Sequence, residues 1–266
     1  MKTPITYYGG KTNMLKHILP LIPEGHRAYV EPFVGGGAVL FGKPQSRIEV
    51  INDNLDSCVN FYRVCQTDFG ELQSLIRRTL HAESDYHRSK EIIKAAPGDH
   101  DPVLRAWAFW VQNRLVFGHK MCGGFAFAKA PLARTTATKI DAFTAEICTR
   151  LRNVQIFNRD ALDVIRRFDD PDTFMYLDPP YANADCGHYN KGKDVFYQLL
   201  ELLPTLKSKW LLSSYPCPEL DVIWRRDGVY HQVIDQPLAV SKANAGRRKS
   251  ECLTWNYPVE EMEAAA

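Results

Sequence analysis

Long apolar runs are missing from this chain of 266 residues. None approaches the roughly 20 residues that span a bilayer, and the N-terminus has no apolar signal-peptide core. That pattern excludes a membrane partner and predicts a cytoplasmic protein. Paired cysteines are missing too. The seven cysteines (positions 58, 65, 122, 148, 186, 217 and 252) are odd in number, scattered, and never spaced as C-x-x-C, which predicts reduced thiols. The eight histidines make no metal-spaced pair; His119 with Cys122 reads as structural, and no metal is expected. No lysine follows a glycine-rich turn in P-loop spacing, which argues against ATP. Internal repeats and low-complexity tracts are lacking as well.

The net charge of +2 is uninformative, but acids are missing locally. From Pro102 to Ile140 there is no Asp or Glu, while Arg105, Arg114, Lys120, Lys129, Arg134 and Lys139 all fall there. A second acid-free stretch, Gln236 to Ser250, carries Lys242, Arg247, Arg248 and Lys249. Two local basic surfaces on a near-neutral protein predict a polyanion held at chosen places. Solvated basic faces are the alternative.

Seven short apolar segments read as strands: 28–33, 47–52, 153–157, 173–178, 209–214, 230–234 and 251–257. Helical patterns such as 55–66, 161–168 and 192–203 lie between most of them, which predicts an α/β fold with a mostly parallel sheet covered by helices. Between about Tyr62 and Asn153 the rhythm breaks. That interval is helical, then rich in Gly, aromatic and basic residues, with a hairpin expected around Gly123-Gly124. It reads as an inserted substrate-reading module, the alternative being an enlarged helical cap.

Three glycines follow a strand in "EPFVGGG" (31–37), where they permit a tight turn and close approach of a ligand to the backbone. The next strand ends at Asp53, the place where doubly wound folds hold ribose hydroxyls, although a helix N-cap is an equal reading. Together the two suggest an adenosine-containing cofactor, NAD still included. "MYLDPPY" (175–181) narrows the choice. An acid or amide followed by Pro-Pro-aromatic arises by chance in roughly one chain of this size in a hundred. Here it ends a strand, where open α/β sheets bind ligands.

At this point the sequence resembles the Dam-like adenine-N6 DNA methyltransferases, over nearly the whole chain. "YYGGK" (7–11), "EPFVGGG", "INDNLDSCVNFY", "LDPPY" and "SKANAGRRKSECLTWNY" match that family's motifs in order. The resemblance implies a Rossmann-like, S-adenosylmethionine-dependent methyltransferase sheet with an inserted, mainly helical target-recognition domain. The expected division is 1–62 (first catalytic part), 63–152 (target recognition) and 153–263 (second catalytic part). It implies that Tyr7 and Lys11 cradle the methionine end of S-adenosylmethionine, and that Glu31, Pro32, Phe33, Gly35 and Gly37 line its groove. Asp53 would hold the ribose, and Asp160 would accept from the adenine amine or else cap a helix. Glu31 stands where the family usually has Asp.

Asp178 and the Pro179 carbonyl would accept the two hydrogens of the target amine, the prolines fixing that carbonyl's direction, and Tyr181 would stack on an extruded base. Pro180 completes the motif. S-adenosylhomocysteine is the expected product and double-stranded DNA the partner. A separately encoded restriction endonuclease and a prokaryotic or phage source go with the family. Arg114, Lys120, Lys129 and Arg134 are expected at guanine edges or phosphates, Gln112 and Asn113 at adenine, and Lys242, Asn244, Arg247, Arg248 and Lys249 at DNA. The rivals are cytosine N4, RNA adenine or a protein amide as target, an idle DNA-binding relative, and a Rossmann oxidoreductase.

Overall fold

The computed structural model describes residues 1–7, 9–116, 122–126, 132–180, 190–237 and 248–259; of residues 132–134, 190–193, 236, 237, 248 and 249 it describes the backbone alone. All seven expected strands form. They are β1 (Ala28–Glu31), β2 (Ile48–Asn52), β3 (Val154–Phe157), β4 (Thr173–Leu177), β5 (Lys209–Ser214), β6 (Tyr230–Pro237) and β7 (Arg248–Trp255). They make one sheet in the order β3-β2-β1-β4-β5-β7-β6. β4 pairs in parallel with β1 and with β5, whereas β7 runs antiparallel to both β5 and β6.

By packing, the chain divides into two compact units. One comprises Lys16–Phe33, Gln45–Val50 and Asp160–Ala266. Its central strands are mostly apolar, and every residue of β1 (AYVE) and β4 (TFMYL) is buried, as expected of strands covered on both faces. The register Val30↔Met175 brings the two strands to their carboxyl ends together. Strand order reverses between β1 and β4, the kind of crevice where open α/β sheets bind ligands. The same unit holds α9 (Ala161–Arg167), α10 (Asn190–Leu202) and α11 (Pro218–Trp224), α10 preceding β5 in the chain and α11 following it.

The other unit comprises Met1–Leu15, Val34–Pro44 and Ile51–Arg159. It contains α2 (Ala38–Gly42), α3 (Asp56–Thr67), α4 (Phe69–Arg77), α5 (Glu83–Lys94), α6 (Pro102–Arg114), α7 (Leu132–Asp141) and α8 (Glu146–Leu151). The short α1 (Leu15–Ile18) begins at Leu15, where the first segment of this unit ends. Its organising element is α6. Asp101 caps it, accepting from the N–H groups of Val103 (2.8 Å) and Leu104 (3.3 Å), and Pro102 occupies a first-turn position where no amide donor is needed. The run Ala106–Asn113 is then buried on every face. Phe109 and Trp110 are fully buried, each contributing roughly 2–3 kcal/mol by removal of apolar surface from water. A helix without a wet face has no room for solvated polar groups, so its polar residues must find partners inside. Near the position of the expected hairpin, the described residues show one isolated antiparallel bridge, Val116↔Phe125, backed by the Ala126 N–H donating to the Leu115 carbonyl (2.9 Å); residues 117–121 between its partners lie outside the described residues.

Candidate active site

In the unit that holds β1 and β4, the segments Glu31-Pro32-Phe33 and Asp178-Pro179-Pro180 leave adjacent parallel strands at the same edge. Glu31 is buried, and its carboxylate accepts from the Tyr29 hydroxyl (2.8 Å). Burial first, and Glu31 second, push the Tyr29 phenol well above its ordinary pKa. The carboxylate therefore anchors β1 from within as well as standing beside the strand end. Asp178, the residue after β4, is half-buried and Pro179 is buried, and the two prolines stiffen the chain there. Asp160 is the N-cap of α9, its Oδ1 accepting from the N–H groups of Leu162 (2.8 Å) and Asp163 (3.4 Å). Tyr181 lies outside the described residues.

In the other unit, the glycine turn is pinned at one residue from three sides. The Val34 N–H donates to the Asn52 carbonyl (2.9 Å) and the Gly37 N–H returns to the Val34 carbonyl (2.7 Å). Gly35 (φ 44°) and Gly37 (φ 66°) take left-handed conformations that side chains disfavour. The Gly35 N–H donates to Asp53 Oδ2 (3.0 Å), while its carbonyl accepts from the Tyr62 hydroxyl (2.8 Å) and the Cys58 thiol (3.4 Å). The other Asp53 oxygen, Oδ1, accepts from the Leu55 N–H (2.9 Å). Burial raises the Asp53 pKa, partly opposed by the Leu55 and Gly35 amides.

Tyr7 closes the turn. A methyl group at Gly36 would lie 2.9 Å from the Tyr7 Cβ, and one at Gly35 would lie 3.0 Å from its ring, so the aromatic motif and the glycine motif are in close contact. Lys11 is buried four residues on, its ammonium donating to the Gly9 carbonyl (2.8 Å). Beside Asp53, Asn52 exchanges two hydrogen bonds with the Arg159 backbone (2.9 and 3.1 Å), and the Asn158 amide donates to the Asp53 carbonyl (2.8 Å). Tyr62, Cys58 and Asn52 were not anticipated as site residues. Cys58 and Tyr62 stand four apart on one face of α3, a spacing that could have marked both.

This chemistry suits S-adenosylmethionine: an acidic acceptor for ribose hydroxyls, a buried ammonium for a carboxylate, and a glycine turn without side chains against an aromatic ring. Among the described residues, no group of three or more His, Cys, Asp or Glu gathers as metal ligands would.

The expected DNA contacts fare differently. Gln112 and Asn113 are buried and unavailable to adenine. Gln112 Nε2 donates to the Tyr86 carbonyl (3.0 Å) and Ser89 Oγ (2.8 Å), its Oε1 accepts from the Cys122 N–H (3.1 Å), and Asn113 donates back to the Phe109 carbonyl (2.8 Å). Arg114 is turned inward, donating to Thr6 Oγ1 and to the carbonyls of Thr3 (3.1 Å) and Pro4 (2.7 Å); desolvation pushes its pKa down to about 10. A guanidinium so engaged does not face a guanine edge. Lys139 donates to the Arg114 carbonyl (2.9 Å), and Arg105 donates to the carbonyls of Ile92, Ala95 and Ala96. Half of the six cations in the acid-free stretch thus have structural partners. Lys120, Lys129, Lys242, Asn244 and Arg247 lie outside the described residues, as do the side chains of Arg134, Arg248 and Lys249.

A family model for D12 class N6 adenine-specific DNA methyltransferases matches residues 7–231. The chain is 30% identical over 273 residues to the type II methyltransferase M1.LlaDCHI of Lactococcus lactis subsp. cremoris, covering 94% of this chain and 93% of that one. It is 27% identical over 218 residues to the type II methyltransferase M.CviBI of Paramecium bursaria Chlorella virus NC1A, covering 80% and 82%. The DNA adenine methylase of Escherichia coli strain K12 is 27% identical over 187 residues, 67% of this chain and 64% of the relative.

Proposed function

The chain belongs to the D12 class N6 adenine-specific DNA methyltransferase family, and from that premise we propose how its own residues serve the transfer. An enzyme of this family methylates adenine N6 in DNA, and S-adenosylmethionine, when bound, supplies the methyl group as a sulfonium. An exocyclic adenine amine is a poor nucleophile because its lone pair is delocalised into the ring. Asp178 and the Pro179 carbonyl accept the amine's two hydrogens and favour a pyramidal nitrogen that can attack directly. The gain is preorganisation at a strand end rather than proton abstraction by a tuned base. Tyr181 stacks on the base once it is extruded from the duplex.

On the cofactor side, the Lys11 ammonium faces the amino-acid carboxylate and Asp53 the ribose hydroxyls. Asp160 accepts from the adenine amino group with lone pairs beyond the one that caps α9. Residues 63–152 form the target-recognition domain between catalytic parts 1–62 and 153–263. Lys120, Lys129, Arg134, Lys242, Asn244, Arg247, Arg248 and Lys249 supply the DNA contacts. The names of the type II relatives favour a separately encoded endonuclease with the same target, in the cytoplasm of a prokaryotic or phage-infected cell.

The observation that carries the reading is the acid-Pro-Pro segment leaving β4 beside the turn that leaves β1. Modified-base sequencing of DNA from cells expressing the protein tests it. N6-methyladenine at one short sequence is the expected result; N4-methylcytosine, or no mark, would overturn it.

A further inference from the structure

We propose that His81 and Gln112 are positioning residues for sequence recognition: they aim the segment 122–126 from behind, without touching DNA themselves. This rests on the proposed reading that residues 63–152 form the target-recognition domain.

Among the described residues, the backbone of segment 122–126 is tied to other backbone by the bridge Val116↔Phe125 and by the Ala126 N–H donating to the Leu115 carbonyl. Side chains from three other elements supply its fixation. Gln112, fully buried near the end of α6, accepts from the Cys122 N–H (3.1 Å) and donates into α5 at the Tyr86 carbonyl (3.0 Å) and Ser89 Oγ (2.8 Å). The Tyr86 hydroxyl in turn donates to the Gly123 carbonyl. His81, in the link between α4 and α5, holds the other end. Its Nε2 lies 2.8 Å from the Ala126 carbonyl and its Nδ1 lies 2.8 Å from Thr136 Oγ1 on α7. A carbonyl can only accept, so Nε2 donates to it. The Phe125 ring rests on His81 (centroids 5.0 Å apart) and on Tyr86 (5.6 Å).

The backbone of Cys122, Gly123 and Ala126 thus has side-chain partners on α6, on α5 and in the link between α4 and α5. Cys122, at φ 58°, is the one described non-glycine residue in the left-handed region, and its amide is the one that Gln112 holds. Such a residue keeps that conformation only where its surroundings fix it. A reading element fixed this way presents its side chains to the groove at one angle. Loosening it should blur discrimination between sequences before it slows methyl transfer.

The test compares kcat/KM on the cognate duplex with kcat/KM on duplexes carrying single base substitutions, using the full-length protein. His81→Phe keeps a ring against Phe125 and removes both hydrogen bonds; the cognate-to-substituted ratio is expected to fall about tenfold, the scale of an orphaned buried carbonyl. His81→Gln, which keeps a donor for the Ala126 carbonyl, should restore most of it. Cofactor affinity measured by calorimetry should not change. If His81→Phe fails to fold, Thr136→Val removes one of the two bonds in near-isosteric form and should lower the ratio about threefold. An unchanged ratio in these variants overturns the inference. Exchanging residues 117–121 for a relative's tests the underlying reading separately. A changed target with no effect from His81→Phe sinks the inference alone, and no change from either sinks both.

Discussion

The strand ends and the helical segment treat their polar residues in opposite ways. At the strand ends, Asp53 and Asp178 stand where the chain leaves a strand, and backbone geometry sets their positions. Within the helical segment, Arg105, Gln112, Asn113 and Arg114 sit on or beside the buried run of α6 and donate to carbonyls of the same unit, Gln112 and Arg114 also to hydroxyls. A polar residue at a strand end is a candidate for chemistry. The same residue type on a helix such as RAWAFWVQNR is a candidate for internal satisfaction, because an unpartnered buried donor costs about 1–3 kcal/mol. An acid-free stretch is therefore not by itself a basic surface.

The comparison breaks most visibly at Asp178. In the proposed reading Asp178→Ala removes one of two acceptors that orient the target amine, and kcat should fall by about 10²–10³-fold, the scale for loss of one preorganised polar group. The melting temperature should stay near wild type. Single-turnover methylation with more than a tenth of the wild-type rate would show that the strand end is not where the chemistry is arranged.

The next effect concerns the second acid-free stretch, whose side chains at 247–249 are reserved for DNA in the proposed reading. If each of Arg247, Arg248 and Lys249 neutralises one phosphate, the triple alanine variant should reduce the slope of log K against log salt by about 2–3. An unchanged slope would place this stretch with the first one, its cations turned to structural use.

Arg114 sharpens the contrast from the other side. Its guanidinium clamps Thr3, Pro4 and Thr6, directly ahead of Tyr7 and Lys11. Arg114→Met should weaken cofactor binding by about tenfold and lower stability by about 1–3 kcal/mol, as carbonyls lose their donor. The salt slope of DNA binding should not move. A reduced slope with intact cofactor affinity would return Arg114 to the DNA.

How far the sequence could be read follows from these cases. All seven strands were legible because each is a short apolar run bounded by turn residues, a local signal that the sheet reinforces. The glycine turn and its acid were legible because few residue types fit such backbone. The partners of that turn were not: Tyr62 and Cys58 look like ordinary apolar-face residues of α3 until Gly35 is placed against them. Gln112 and Arg114 were misread for a related reason. Composition placed them in a basic, acid-free stretch, whereas their environment is fixed by contacts with α5 and with residues 3–6, far away in sequence.

The smallest effect separates two roles of one carboxylate. Burial lifts the Asp53 pKa in the folded chain above its ordinary 3.8. Between those values the folded state keeps a proton that the unfolded state has lost. On this account stability rises as pH falls through the raised value towards 3.8, and the penalty for the buried charge is full above it. Cofactor affinity should move the opposite way, since only the ionised carboxylate offers both oxygens fully as acceptors to ribose hydroxyls and to the Gly35 and Leu55 amides. Urea midpoints of wild type and Asp53→Asn, measured from pH 7 to pH 4, isolate this group from the other carboxylates, because the amide's lost acceptor is a constant offset. The wild type should gain on the variant as pH falls while its cofactor dissociation constant rises. If it loses ground instead, the Gly35 and Leu55 amides outweigh burial, and Asp53 is held as an anion for the turn's sake rather than at a cost to the fold.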